Sequence, residues 1–372
     1  MKLVLVANTA WSIYNFRAGL IKRFISAGIK VIVVSPFDAY SDKLTSLGCD
    51  VVNLSFSAKG VNPVKDFIFL IKLVILYKKI SPDLIVHYTI KPNIYGSIAA
   101  KILSIPSLAI TTGLGYTFIN NNLVSKVARY LYKFAFKFPY QVWFLNEDDK
   151  SIFINNGLVS ESKALILNGE GVDLDFFKPM KGNSGDSSIR FLLIARMLWD
   201  KGIREFVEAA RIVKKSNPDI IFQLLGPCDS NNPSSIGREQ IDLWESSGLI
   251  EYLGVTDDVR AYIALADCIV LPSYREGIPR TLIEAAAMEK PLITSDAPGC
   301  RDVVLDNVTG FICEIKNVES LVFCFDKFIN MSDKDRALMG QAGQVLIKEK
   351  FDEQLIIEEY FKAFKCFNRD VV

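Results

Sequence analysis

Residues Cys268 to Asp296 read CIVLPSYREGIPRTLIEAAAMEKPLITSD and divide into strand, loop, helix and strand. Cys268 to Leu271 is a short apolar run suited to a buried parallel strand. Pro272 to Glu276 is polar and ends it. Ile278 to Met288 is rich in Leu, Ile and Ala, with Pro279 in a first helical turn that needs no backbone donor. Pro291 to Thr294 begins the next strand. Glu276 therefore stands just before a helix N-terminus, and Glu284 about two turns inside it. The first-turn amides of a helix favour an anion, above all a phosphate. In open α/β sheets, loops after the carboxyl ends of strands bind ligands. The two carboxylates lie about 12 Å apart along the axis at 1.5 Å per residue. That spacing suits a long, two-ended ligand such as a nucleotide sugar, and equally suits two solvated glutamates.

The chain has 372 residues, half of them hydrophobic, which implies two domains with sizeable cores. A net charge of +1 argues against a nucleic-acid binder as a whole. The balance hides an asymmetry: residues 1–168 hold 19 Lys+Arg against 9 Asp+Glu, and residues 169–372 hold 24 against 33. A basic half points to an anionic partner, either phosphates or lipid head groups. The seven cysteines are scattered without a CxxC pair, so neither a zinc site nor a disulfide framework is signalled, and a reducing compartment is expected. MKLVLVANTAW is too short an apolar run for a signal peptide, and no apolar stretch has the length of a membrane span.

From the N-terminus, the pattern is βαβαβ: strands at Lys2–Ala7, Lys30–Ser35 and Asp50–Leu54, with helices at Phe16–Ala27 and Tyr40–Leu47. NTAWSIYNFR reads as the loop after the first strand. A long, nearly all-apolar helix runs from Val64 to Ile80. Further strands fall at Asp83–His87, Ser107–Thr111, Gln141–Leu145 and Ala164–Leu167, and further helices at Leu123–Phe138 and Asp148–Asn155. Glycine, proline and polar residues mark 169–188 as a linker. The same rhythm restarts at Ile189. The expected architecture is thus α/β with two doubly wound, Rossmann-like domains, 1–168 and 189–351, facing a cleft, and a tail helix (352–372) that joins the first.

IARMLWDKG, Ile194 to Gly202, places Arg196 and Lys201 in the loop after the first strand of the second domain. Arginine offers a fork of donors and lysine a mobile point charge, a pair suited to a diphosphate. In TTGLGYTF, Gly113 and Gly115 would let backbone approach a ligand closely. That loop is no GxGxxG fingerprint, and no acidic residue lies at the offset a dinucleotide ribose needs, so NAD is not expected. Ser12, Tyr14 and Arg17, in NTAWSIYNFR, either line the acceptor side of the cleft or belong to a purely structural loop.

A strand followed by an Arg and a Lys-Gly pair, then E-x7-E from Glu276 to Glu284, is similar to the retaining glycosyltransferases of the two-domain GT-B class, family four. LNGEGVDLDFF (Leu167 to Phe177) resembles the family's interdomain segment, and LPSYREGIPRTLIEAAA its donor-site signature. NTAWSIYNFR, YTIKPNIYG, TGLGYTF and ARMLWDKG look most like bacterial enzymes that extend undecaprenyl-diphosphate-linked sugars. Among these the likeness is greatest to the α1,3-N-acetylgalactosaminyltransferases of O-antigen and protein-glycan assembly. The resemblance implies that Arg196 and Lys201 hold the donor diphosphate. It gives Glu276 the donor-sugar hydroxyls and Glu284 the nucleotide ribose. Gly277, Ile278, Pro279 and Arg280 would lie near the donor. No cofactor is implied beyond the UDP-sugar substrate, and no metal: VDLDF carries its aspartates in the linker, and the cations would stabilise the leaving diphosphate instead. His87, the chain's one histidine, would end a strand facing the cleft. It stands three residues before the place where family members carry a functional histidine, Ile90 here, so both a catalytic and a structural role are open. Lys91 is a second candidate for phosphate contact. A UDP-N-acetylhexosamine 2-epimerase and a non-catalytic sugar-nucleotide-binding subunit are the alternatives.

LVSKVARYLYKFAFKF, Leu123 to Phe138, spaces Lys126, Arg129, Lys133 and Lys137 at three and four residues, interleaved with Tyr130, Tyr132, Phe134, Phe136 and Phe138. A basic, aromatic helix of this kind fits an interface with anionic lipid. The implied partners are a UDP-sugar, a lipid-diphosphate-linked acceptor and the cytoplasmic face of the inner membrane, with no nucleic acid.

Overall fold

The computed structural model describes residues 1–56, 62–114, 123–180, 182, 188–228, 232 and 234–367, with the backbone alone for 123 and 124. The chain folds as two compact units, Met1–Glu170 with Glu353–Val372, and Gly171–Asp352.

In the first unit, β1 (Lys2–Val6), β2 (Lys30–Ser35), β3 (Asp50–Asn53), β4 (Leu84–Tyr88), β5 (Ser107–Thr111), β6 (Gln141–Phe144) and β7 (Ala164–Ile166) form a parallel sheet in the order β3-β2-β1-β4-β5-β6-β7. Both faces are covered by helices, so β1 is a continuous apolar run with Leu3, Val4, Leu5 and Val6 fully buried. The helices are α1 (Ala10–Ser26), α2 (Ser41–Ser46), α3 (Pro63–Ile80), α4 (Ser97–Ile102), α5 (Leu123–Ala135) and α6 (Glu147–Asn155), with a π-turn at Pro92–Gly96 leading into α4. Local chemistry sets their ends. The Asn62 side chain accepts from the backbone N–H of Val64 and of Lys65, both at 3.1 Å, and Pro63 takes the first helical position of α3. Ser81, left-handed at φ 49°, and the following Pro82 stop it.

The second unit repeats the pattern. Strands β8 (Arg190–Ile194), β9 (Ile221–Leu225), β10 (Glu251–Tyr252), β11 (Cys268–Leu271), β12 (Leu292–Ser295) and β13 (Gly310–Cys313) are parallel in the order β10-β9-β8-β11-β12-β13. Its helices are α7 (Ile203–Ser216), α8 (Arg238–Ser246), α9 (Arg260–Leu265), α10 (Arg280–Ala287), α11 (Val318–Ile329) and α12 (Asp333–Lys350). One core layer joins Phe191, Phe206, Phe222, Phe325 and Phe328, and the other joins Leu192, Ile269, Leu282, Ile283 and Ile347. The last helix, α13 (Glu353–Lys365), belongs to the first unit. Its Tyr360 and Phe364 rings meet Phe24 at 6.0 and 5.1 Å, and Tyr360 meets Trp143 at 5.0 Å. Aromatic contacts of this type contribute about 0.5–1.5 kcal/mol each beyond area burial.

Four expected boundaries are corrected. The first helix starts at Ala10, not Phe16, because Thr9 caps it by accepting from Ser12 N–H at 3.2 Å. Ser12, Tyr14 and Arg17 are therefore helical, not on a loop. The linker does not extend over 171–180: Val172 N–H donates to the Phe351 carbonyl at 2.8 Å, and Val172 and Phe177 join the core of the second unit. Helix α5 ends at Ala135, short of Phe138, and α10 begins at Arg280, after Pro279.

Candidate active site

Strand order reverses at β8/β11 in the second unit and at β1/β4 in the first. At such a switch point the neighbouring loops diverge and leave a crevice at the carboxyl ends of the strands. Arg196 and Lys201 follow β8, and Glu276 follows β11. Expected residues from distant parts of the chain thus meet at the switch point of the second unit.

The two loops are stitched together by backbone. Asp200 O accepts from Tyr274 N–H at 2.9 Å and from the Ser273 hydroxyl at 3.1 Å. Gly202 is left-handed at φ 72°, and a Cβ there would strike the Pro272 carbonyl, so only glycine lets the β8 loop lie against the β11 loop. On the opposite side Gly299, at φ 80°, gives the Glu276 and Gly277 carbonyls the same clearance, and Glu276 N–H donates to Pro298 O at 3.0 Å. Held by these contacts, Lys201 and Glu276 form an ion pair with both side chains largely buried. Arg196 is exposed and makes no ion pair among the described residues.

Gly277, Ile278 and Pro279 lead into the N-terminus of α10, whose N-cap, Pro279, has no side chain able to cap it. Arg280 and Glu284 are one turn apart and pair through Nε to Oε1 at 2.9 Å. Burial pushes the Glu284 carboxyl above its ordinary pKa, with Arg280 opposing that shift. The second unit therefore holds two carboxylates, each matched to a cation, Glu276 on the loop after β11 and Glu284 inside the helix that follows it. Such a set can bind sugar hydroxyls through the carboxylates and a diphosphate through the cations. Among the described residues no group of three or more His, Cys, Asp or Glu could hold a metal ion.

Sequence reasoning missed Asp200, Glu205 and Tyr274, which bond to one another across the segment that carries Lys201. The Tyr274 hydroxyl donates to Glu205, 2.8 and 2.9 Å from its two carboxylate oxygens. No spacing rule connects these residues, since 69 positions separate them.

In the first unit the expected site residues separate. His87 lies within β4 at 0% exposure, with Nε2 3.0 Å from the Tyr77 hydroxyl and the ring pressed on Gly96. Burial pushes its pKa down to about 3. Of the two roles left open for His87, burial favours the structural one, and the expected cleft-facing position is corrected: the imidazole is a neutral core group. Arg17 is also buried, at 3% exposure. It pairs with Glu170, donates to Ser12 O at 3.1 Å, and lies 3.7 Å over the Tyr88 ring. Burial alone would lower its pKa, but Glu170, Tyr88 and Tyr360 hold it above the ordinary value. Arg17 is thus an anchor of the fold, not an acceptor contact. The Ser12 hydroxyl donates to Thr9 O at 3.0 Å inside the cap. Tyr14 packs on Tyr40 at 5.6 Å. Lys91, expected as a phosphate contact, is largely buried and pairs with Asp66 at 2.6 Å. Gly113 follows β5 at φ 128°, and Gly115 lies outside the described residues.

On α5, Lys126 and Lys133 are exposed and Arg129 is half-buried; Lys137 is exposed beyond the helix end. The interleaved aromatics divide. Tyr132 and Phe136 enter the core beside Phe153. Val127, Phe134 and Tyr130, the last at 74% exposure, point outward. Helix α3 likewise leaves Val64, Phe67, Ile68, Ile71 and Ile75 exposed. Both helices pack against the π-turn Pro92–Gly96. No described helix is long and apolar enough to cross a membrane.

Comparison with known proteins identifies the family. Residues 177–345 match the family "Glycosyl transferases group 1", and residues 2–146 match "Glycosyl transferase 4-like". The chain is 33% identical, over 98% of each sequence, to the N,N'-diacetylbacillosaminyl-diphospho-undecaprenol alpha-1,3-N-acetylgalactosaminyltransferase of Campylobacter jejuni. It is 28% identical, over 74% of this chain and 75% of the relative, to the UDP-Gal:alpha-D-GlcNAc-diphosphoundecaprenol alpha-1,3-galactosyltransferase of Escherichia coli. Among solved structures, Anabaena Alr3699/HepE in complex with UDP and glucose superposes with a TM-score of 0.81 at 18% identity, covering 98% of this chain and 99% of that one. A glycosyltransferase from Rickettsia africae superposes with a TM-score of 0.78 at 19% identity, covering 99% of each. The chain belongs to the glycosyltransferase family with the two-domain GT-B fold.

Proposed function

We propose that the protein is a retaining glycosyltransferase. It moves N-acetylgalactosamine, or another N-acetylhexosamine, from a UDP-sugar to a sugar on undecaprenyl diphosphate during polysaccharide or protein-glycan assembly. The observation that carries this reading is the Lys201–Glu276 pair, set at the β8/β11 switch point of a chain 33% identical to a transferase of that class. In the reaction the bond between the anomeric carbon and the donor diphosphate breaks. The acceptor hydroxyl forms the new bond from the same face, and its proton passes to the leaving phosphate oxygen. UDP is released. Glu276 holds the donor-sugar hydroxyls, Glu284 the ribose, and Arg280 and the segment Gly277–Pro279 lie beside the donor. Arg196 and Lys201 stabilise the charge that develops on the diphosphate, so no metal is required. No protein base is needed, which agrees with a buried His87. The epimerase alternative needs acid–base side chains at the sugar, and the chain's single imidazole lies in β4.

Support for a membrane-bound acceptor comes from α3 and α5. Their outward apolar residues stand beside Lys65, Lys72, Lys126 and Lys133, all exposed, a combination suited to the interface of an anionic leaflet. The first unit then rests on the cytoplasmic face of the inner membrane. Purified protein incubated with a panel of UDP-sugars and short-chain lipid-diphosphate acceptors tests the assignment. A product one N-acetylhexosamine heavier than the acceptor is expected. Transfer from none of the UDP-sugars would exclude it.

A further inference from the structure

The pair Lys201–Glu276 has to be held in register, although its two residues lie on separate loops. Tyr274 is bonded to both ends of the segment that carries Lys201. At one end its backbone N–H donates to Asp200 O at 2.9 Å. At the other its hydroxyl donates to Glu205, which is 7% exposed in the first turn of α7. Glu205 is well placed there, because the N-terminal end of a helix favours a carboxylate. From a third direction the Lys316 ammonium, in the loop after β13, sits 4.6 Å over the Tyr274 ring. Burial and the Glu205 carboxylate together push the Tyr274 hydroxyl well above the ordinary phenol range, so it remains a donor throughout the physiological range.

We propose that Tyr274 is a positioning residue, which through Asp200 and Glu205 fixes the Lys201 ammonium against Glu276 in the geometry the donor diphosphate requires. This rests on the donor-site reading above. Tyr274 touches neither donor nor acceptor in this account. It acts by restricting the swing of Lys201, and misplacement of a charged group by about 1 Å costs on the order of a hundredfold in rate.

The test is a double-mutant cycle on the full chain, with UDP release from UDP-N-acetylgalactosamine measured in the presence of a lipid-diphosphate acceptor. Tyr274→Phe removes one oxygen and keeps the ring and the backbone bond. It should lower kcat/KM by about ten- to a hundredfold, with UDP affinity by calorimetry changed far less than kcat. In a Lys201→Met background the same substitution should cost less than about twofold, because contacts acting through one partner are non-additive. Glu205→Ala breaks the bond from its other side. It should match Tyr274→Phe, with no further loss in the double variant. Full activity in Tyr274→Phe, or an equal loss with and without Lys201, overturns the proposal while leaving the donor site intact. Wild-type protein that neither binds UDP nor releases it from any UDP-sugar overturns the donor-site reading and the proposal with it.

Discussion

Lys201 and Glu276 are paired although they lie 75 residues apart, one on the loop after β8 and the other on the loop after β11. The contact exists because the two strands are neighbours at the switch point and because Gly202 lets their loops touch. Glu276→Ala and Lys201→Ala should each lower turnover by about 10²–10³-fold, the cost of removing one preorganised charge from a transferase site. The double variant should be little worse than the poorer single one. Steady-state kinetics beside circular dichroism separates this from unfolding, and near-normal turnover of either variant would refute the assignment.

Glu284 should trade stability for binding. Its folded pKa is raised by burial, so the stability it contributes is present below the ordinary carboxylate value and is lost as pH rises through the folded one. At neutral pH the ionised carboxylate is therefore a net cost. Glu284→Gln should melt higher than wild type at pH 7, with the gap closing as pH falls toward 4. Donor affinity should fall by about 10- to 100-fold, as expected when a charged hydrogen-bond partner of a hydroxyl is lost. Thermal melts across pH and calorimetric UDP-sugar titration read the two effects.

His87 should not titrate between pH 5 and 8. Its folded pKa of about 3 lies below the ordinary 6.5, so the unfolded chain takes up the proton first. The stability it contributes is full above pH 6.5 and declines by up to about 1.4 kcal/mol per pH unit below that. Proton NMR of the single imidazole should show no shift change near neutrality. Urea unfolding of His87→Gln should depend less steeply on pH between 6 and 4 than the wild type. An imidazole that titrates near pH 6.5 would contradict the buried assignment.

Arg17→Met should destabilise the first unit by about 3–5 kcal/mol, because the Glu170 carboxylate loses its guanidinium inside the fold. Replacing both with methionine should restore part of the loss. Urea denaturation of the three variants measures this. A cost below about 1 kcal/mol for the single variant would return Arg17 to the list of ligand contacts.

Lys126→Glu, Lys133→Glu and Lys137→Glu together should release the protein from anionic vesicles. Each cation near an anionic surface contributes about 1 kcal/mol, so losing three weakens binding more than a hundredfold. Phe67→Ser with Ile71→Ser should weaken binding to anionic and neutral vesicles alike, because it removes apolar contact and no charge. Unchanged flotation of the triple variant would sink the docking face.

In the second unit the candidate residues could be singled out in the sequence because they sit at fixed offsets from strand ends. Glu276 and Glu284 are eight residues apart on one loop and helix, and the Arg196 to Lys201 loop follows an apolar strand. The two parallel-sheet units were likewise readable from apolar runs alternating with helical spacing, whereas the strand order within each sheet comes from the structure. In the first unit the same reasoning overreached. Nothing in HYTIKP marks His87 as an inward residue that Gly96 covers and Tyr77 bonds. Nothing in NTAWSIYNFR foretells that Arg17 turns inward to Glu170, which lies 153 positions away. Partners of buried charges are set by tertiary packing, and local spacing carries no trace of them. The same holds for Tyr274 and Glu205.

Stereochemistry of the transferred sugar is the sharpest test of retaining transfer from a UDP-sugar. UDP-N-acetylgalactosamine labelled with ¹³C at the anomeric carbon is incubated with the enzyme and a short-chain lipid-diphosphate acceptor, and the product is followed by NMR. A new α-linkage on the acceptor sugar is expected, together with one UDP released for each sugar transferred. A β-linkage, or a sugar nucleotide epimerised at C2 with the acceptor unchanged, would contradict it.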